Sequence, residues 1–219
     1  RDRSIPFIRF LDLILPKKKK KVVFCITYNQ FSACGVFLDY LRKNYGDKYK
    51  FVIIIDKVSK KLNCKKLYSA RSIKGVWYAL TAKYVIMSNC TYIIDIFRSK
   101  RHIYLNLWHG MPIKKIGYTT QQFSTKEASD RYTFLGENAN FFVTSDFYKL
   151  VIGTAFRAKY NNIHITGNAR NDLIGKSDND NKIRKQFKLN NFSKVVFYMP
   201  TFKITKTNQQ EVQNDFKNL

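Results

Sequence analysis

The residues best placed for chemistry sit where an apolar run, RHIYLNLW (101–108), breaks at Trp108-His109-Gly110. A histidine at the end of a strand in an open α/β sheet projects toward the crevice where ligands bind. Gly110 lets a backbone approach a ligand closely, and Pro112 stiffens the turn. Lys114 and Lys115 then bring two cations to the same mouth. A histidine beside cations suits general-base work on a hydroxyl near a phosphate. A second break comes in ITGNARNDLIG (165–175), where Gly167 is followed by Arg170-Asn171-Asp172. Arg170 can hold a phosphate bidentately, and Asp172 can cap a following turn or orient Arg170. A third is YMPTFK (198–203), which would put Thr201 and Lys203 at a crevice of their own.

The elements that must position these residues alternate between short β-rich runs and longer helical ones. Strands are expected over 22–27, 50–56, 84–89, 101–108, 141–145, 162–167 and 194–200. Helices are expected over 31–46, 69–82, from Asp146 to about Tyr160, and over 182–187. In the first helix the apolar stripe is Val36, Phe37, Tyr40 and Leu41. Nearly continuous apolar strands alternating with helices mark a parallel sheet covered on both faces. The expected organisation is a basic, membrane-associating segment over 1–21, a doubly wound domain over 22–175, and a linker with a helix over 176–193. Residues 194–219 would start a second domain, the remainder of which lies beyond this chain. The apolar stretch SIPFIRFLDLIL (4–15) is too short to span a bilayer. It reads either as a helix docked on the domain followed by a solvated lysine loop, or as an interfacial segment whose lysines 17–21 contact acidic lipid.

Composition narrows the classes further. The 219 residues are 45% hydrophobic and 16% aromatic, which excludes a disordered chain. Cys25, Cys34, Cys64 and Cys90 form no CxxC pair, so neither a zinc ribbon nor a disulfide scaffold is expected, and the thiols read as reduced. No GxGxxG, P-loop, HExxH or GxSxG motif is present, and three scattered histidines give no metal cluster. His102 and His164 read as strand or surface histidines. The net charge of +25 calls for an anionic partner. A basic nucleic-acid-binding protein is the alternative class, resting on that charge with 18 Phe and 14 Tyr, but no nucleic-acid-binding signature accompanies it.

In this order the three segments resemble the CDP-glycerol glycerophosphotransferases, the primases and polymerases of teichoic-acid-like polymers. The residues that carry the resemblance are Leu107 to Gly117, Thr166 to Ile174 and Met199 to Lys203, with Met111 standing where the family has threonine. The resemblance implies a GT-B-like architecture: an N-terminal Rossmann-like domain on the acceptor side, facing a second that binds the donor. It implies His109 as the base that deprotonates an acceptor hydroxyl, with CDP-glycerol as donor, CMP as leaving group, and no cofactor or metal. Trp108, Gly110, Lys114, Lys115, Arg170, Asn171, Asp172, Thr201 and Lys203 would contact substrate or phosphate. The acceptor would be a polyprenol-linked or polyol-phosphate polymer, and the enzyme would sit peripherally on the cytoplasmic face of the membrane. A CDP-ribitol-type polyol phosphate transferase is a close variant. This chain alone is expected to be inactive.

Overall fold

Three strands, each closing in an apolar run, build the middle of a sheet: β1 (Lys18–Ile26), β2 (Lys50–Ile55) and β4 (Ala82–Met87). The computed structural model describes residues 4–26, 31–55, 66–89, 92–120, 125–174 and 180–198. It divides the chain into two compact units, Arg1–Lys176 and Ser177–Leu219. In the first unit the sheet is completed by β3 (Leu67–Ser69), β5 (Ile103–Asn106), β6 (Ala139–Val143) and β7 (Ile163–Ile165). The order is β3-β2-β1-β4-β5-β6-β7, and every pairing is parallel.

Alternate residues of each strand face opposite sides, so β1 supplies two cores. Val23 and Cys25 join Val52, Ile54, Val85, Met87, Tyr104 and Phe141 on one side. Val22, Phe24 and Ile26 join Phe51, Ile53 and Ile86 on the other. The first side is covered by α1 (Ile5–Ile14), α3 (Ile73–Thr81), α4 (Lys126–Asn138) and α5 (Asp146–Phe156). The second is covered by α2 (Phe31–Tyr45). Cys34 and Leu38 are the buried hydrophobic residues described in α2, with Phe37 and Leu41 partly buried, whereas Tyr40 faces out. The helical stripe therefore runs one position round from where the sequence places it.

The lysine run needs a different account from a solvated loop. Lys18–Lys21 belong to β1, and only Lys18, Lys19 and Lys20 are exposed. Lys17 Nζ donates to Asp12 O at 2.6 Å, Asp12 Oδ1 at 2.8 Å and Leu80 O at 2.7 Å. Lys21 is buried, donates to Thr81 Oγ1 and lies 4.9 Å from the centre of the Tyr78 ring. Burial pushes the Lys21 ammonium down to about 8.

Asp12 ties α1 to the sheet. Its Oδ2 accepts Arg98 N–H at 2.6 Å and Ser99 N–H at 2.7 Å, and its Oδ1 faces His102 Nε2 at 2.6 Å. His102 is buried, not superficial, and its Nδ1 donates to Ala82 O at 2.7 Å. Burial by itself would raise the Asp12 carboxyl, but the His102, Arg98 and Lys17 contacts outweigh it and hold the group at about 2. His164, on β7, bonds Asn140 Oδ1 at 3.0 Å and stacks on Phe142.

In the second unit, α6 (Asp180–Gln186) forms as the sequence predicts. Residues 194–198 do not form the expected strand, and residues 199–200 lie outside the described residues. A strand must pass its backbone hydrogen bonds to a neighbour, and no described residue supplies one to Val195, Val196 or Phe197, whose side chains are exposed.

Candidate functional site

The first unit has its topological switch between β1 and β4, where the order turns from 3-2-1 to 4-5-6-7. The site is built just beside it, at the carboxyl ends of β4 and β5. Pairing of β5 with β4 persists through Leu107 N–H, which reaches Met87 O at 2.8 Å. The chain then turns abruptly. Trp108 has φ of +47° and Gly110 +136°, both in the region that disfavours side chains. A tryptophan there costs about 1–3 kcal/mol, so surrounding structure must hold it.

The turn is held at three points. Asn106 Oδ1 accepts Trp108 N–H at 2.9 Å. His109 Nδ1 reaches Ser88 O, at the end of β4, at 2.7 Å. The Tyr148 hydroxyl of α5 donates to Gly110 O at 2.7 Å. The Trp108 indole is buried between the His109 ring, stacked at 4.4 Å, and Phe156, edge-on at 5.2 Å.

These contacts settle the tautomer of His109. A carbonyl only accepts, so the Nδ1 facing Ser88 O carries the hydrogen, and the Nε2 lone pair is left for a proton. Burial depresses the affinity of His109 for a second proton; the Ser88 carbonyl partly opposes this, and the positive charge of Arg170 reinforces it. The ring is therefore held neutral, in the form a base needs.

Arg170 comes to the same place from the other motif. A Cβ on Gly110 would lie 3.1 Å from Arg170 Nη2, so the missing side chain makes room for the guanidinium. Arg170 is carried on a short 3-10 turn, Ala169–Leu173, capped by Asn168, whose Oδ1 accepts Arg170 N–H at 3.2 Å. A turn that Asp172 could cap falls after residue 174, outside the described residues, and no ion pair joins Asp172 to Arg170 among the described residues. Asp172 instead lines a largely apolar cleft of about 800 Å³ with Phe37, Tyr40, Leu105, Leu107 and Phe142. Asn171 is exposed on the same turn, and Lys114 and Lys115 are exposed on the loop after Gly110. Thr201 and Lys203 lie outside the described residues.

The structure adds three residues to those the sequence singles out. Ser88 and Tyr148 act through positions that no spacing marks. Asn106 carries a readable signal: an Asn two residues before a strained position forms an Asx-turn. Among the described residues, no cluster of His, Cys, Asp and Glu could hold a metal ion.

The sequence profile of CDP-glycerol:poly(glycerophosphate) glycerophosphotransferases matches residues 7–219. The chain belongs to this family. A teichoic acid poly(glycerol phosphate) polymerase of Bacillus spizizenii is 31% identical over 213 residues, which cover 87% of this chain and 52% of the relative. A teichoic acid glycerol-phosphate transferase of Staphylococcus aureus is 28% identical over 118 residues, 49% of this chain and 30% of the relative. The chain thus spans about half, or less, of the curated relatives it matches. A structure of the wall teichoic acid polymerase TagF superposes with a TM-score of 0.77 at 16% identity, covering 92% of this chain and 52% of that one. At such identity the likeness shows the fold, and the expected α/β class, a parallel sheet covered by helices on both faces, is shared.

Proposed function

We propose that the chain is the acceptor-side part of an enzyme that transfers glycerol phosphate from CDP-glycerol to a hydroxyl of a lipid-linked or poly(glycerol phosphate) acceptor. The observation that carries this reading is the His109 tautomer: Nδ1–H is spent on Ser88 O, and Nε2 is left as the base. In the reaction, Nε2 takes the proton of the acceptor hydroxyl. The resulting oxygen forms a bond to the glycerol-bearing phosphorus as the bond from that phosphorus to the CMP oxygen breaks, and CMP leaves with the electron pair. Arg170, beside Gly110, suits the charge that builds on the phosphoryl oxygens, since positioning and charge stabilisation supply most of the catalysis of phosphoryl transfer. Lys114 and Lys115 guide the anionic acceptor toward the site. Trp108 sets the orientation of the His109 ring, and Asn171 and Asp172 border the approach. Thr201 and Lys203 belong to the donor side.

The test is CMP release from CDP-glycerol by the full-length protein with a lipid-linked acceptor, with and without His109→Ala. Release that depends on His109 supports the reading. Release from CDP-ribitol alone changes the polyol, and release from neither overturns the reaction.

A peripheral position on the cytoplasmic face of the membrane is part of the same reading. No described helix is long and apolar enough to cross a bilayer. On α1, however, Phe7, Phe10, Leu13 and Ile14 are exposed, and Lys18, Lys19 and Lys20 follow. Apolar side chains beside lysines suit an interface with acidic lipid. Replacing these three lysines by glutamine should weaken sedimentation with phosphatidylglycerol vesicles, and unchanged binding would remove the membrane from the proposal.

A further inference from the structure

We infer that Asn106 is a positioning residue for His109, acting through the backbone of Trp108. The inference rests on the reading of His109 as the base. Asn106 is the last residue of β5, and its side chain is fully buried. Because Trp108 N–H is a donor, the atom that meets it at 2.9 Å must be Oδ1. That fixes the amide the other way round for Nδ2, which is buried and meets no hydrogen-bond acceptor among the described residues. A leucine would fill the same space without burying an unmatched donor. The side chain is therefore present for its oxygen.

That oxygen closes an Asx-turn across Leu107 and holds Trp108 at φ of +47°. From this conformation the chain direction reverses, the His109 ring stacks on the indole, and Nδ1 comes within 2.7 Å of Ser88 O. Without the turn, Trp108 can relax to an ordinary extended conformation. The Nδ1–H contact is then lost, and with it both the tautomer and the aim of Nε2.

Asn106→Ala and Asn106→Ser test this as a pair. Both remove the amide donor and nearly the same volume, but serine keeps an oxygen able to accept the N–H two residues on. In the full-length protein, Asn106→Ala should lower kcat for CMP release about 10- to 100-fold, the scale of a misplaced catalytic group. KM for CDP-glycerol should stay within about twofold, since the group misplaced is the base, and the charge that Arg170 meets builds only in the transition state. Asn106→Ser should recover most of the loss. The second readout is nitrogen-15 NMR of His109 without substrate: the Nδ1–H tautomer should dominate in the wild type and the serine variant and lose its dominance in the alanine variant.

Equal losses in both variants, an unchanged tautomer in Asn106→Ala, or unfolding of either variant by circular dichroism would overturn the inference. A tautomer that responds as expected, together with full CMP release from His109→Ala, would instead sink the base assignment and leave the Asn106 contact standing.

Discussion

The two ends of the sheet solve opposite problems. At the amino end, Asp12 is fully buried, yet each carboxylate oxygen has partners: Arg98 and Ser99 N–H on one, His102 and Lys17 on the other. At the carboxyl end, Trp108 and Gly110 sit in disfavoured backbone, and among the described residues Asn106 Nδ2 meets no acceptor and His109 keeps one nitrogen unspent. Charges at the first end are consumed by the fold. At the second, the Arg170 charge lies near the neutral His109 ring, with no ion-pair partner among the described residues. A group that has spent its hydrogen bonds on the fold has none left for a substrate, so the two histidines, 102 and 109, part company although only seven residues separate them.

The sharpest way to break the comparison is Asp12→Ala. Removing one member of a buried charged cluster typically costs about 3–5 kcal/mol, measured by urea denaturation, and the His109 tautomer should stay as it is. The same carboxylate sets the acid limit of the fold. Its folded value of about 2 lies below the roughly 3.9 of an unfolded aspartate. Its contribution is therefore complete above about pH 4 and drains away as the pH falls toward 2. A wild-type acid-unfolding curve that steepens in that window, and a variant curve that does not, is the expected pair.

Next in size is His109→Ala, which should reduce kcat by about 100-fold with little change in melting temperature. In the wild type, the acid limb of kcat should fall below about pH 6.5, the value of an ordinary histidine, because burial and Arg170 both oppose the second proton. Gly110→Ala should cost about 10-fold in kcat/KM, since the new Cβ would press on Arg170 Nη2 in a backbone conformation alanine resists. Stability should move less than activity. The smallest effect is expected from Ser145→Ala, which removes the cap on Tyr148 N–H at the start of α5. About 1 kcal/mol of stability should be lost in thermal melts, and Gly110, held by Tyr148 from the same turn, should report a modest fall in rate.

The interior of the sheet was legible because β1, β2 and β4 close in the continuous apolar runs 22–26, 51–55 and 84–87, a pattern that needs both faces covered. The helix α4 was not. Only Leu135 in it is a buried hydrophobic, so it carries almost no stripe, and it is held from outside by the bidentate Arg131–Asp95 pair. The three-residue β3 is too short to show alternation. His109 and Arg170 were legible as breaks after strands, but the reason they meet was not. It depends on a missing Cβ at Gly110 and on two contacts, Ser88 and Tyr148, at separations of 21 and 38 residues. The clamp at Asp12 spans 86 to 90 residues, and periodicity carries no information over such a distance.

That long span has a consequence for the order in which the nascent protein takes shape. After β4 pairs with β1, each later strand adds to the outer edge left by the one before, so the sheet can grow as the ribosome delivers it. Helix α1 is made before every strand of this sheet but cannot be fastened: the amides and imidazole that hold Asp12 arrive only with residues 98–102. For roughly ninety residues of synthesis this helix waits for its latch, with Ile8 and Leu11, which the folded domain covers, unshielded until then. A chaperone or a membrane surface would meet that helix before the rest of the domain does.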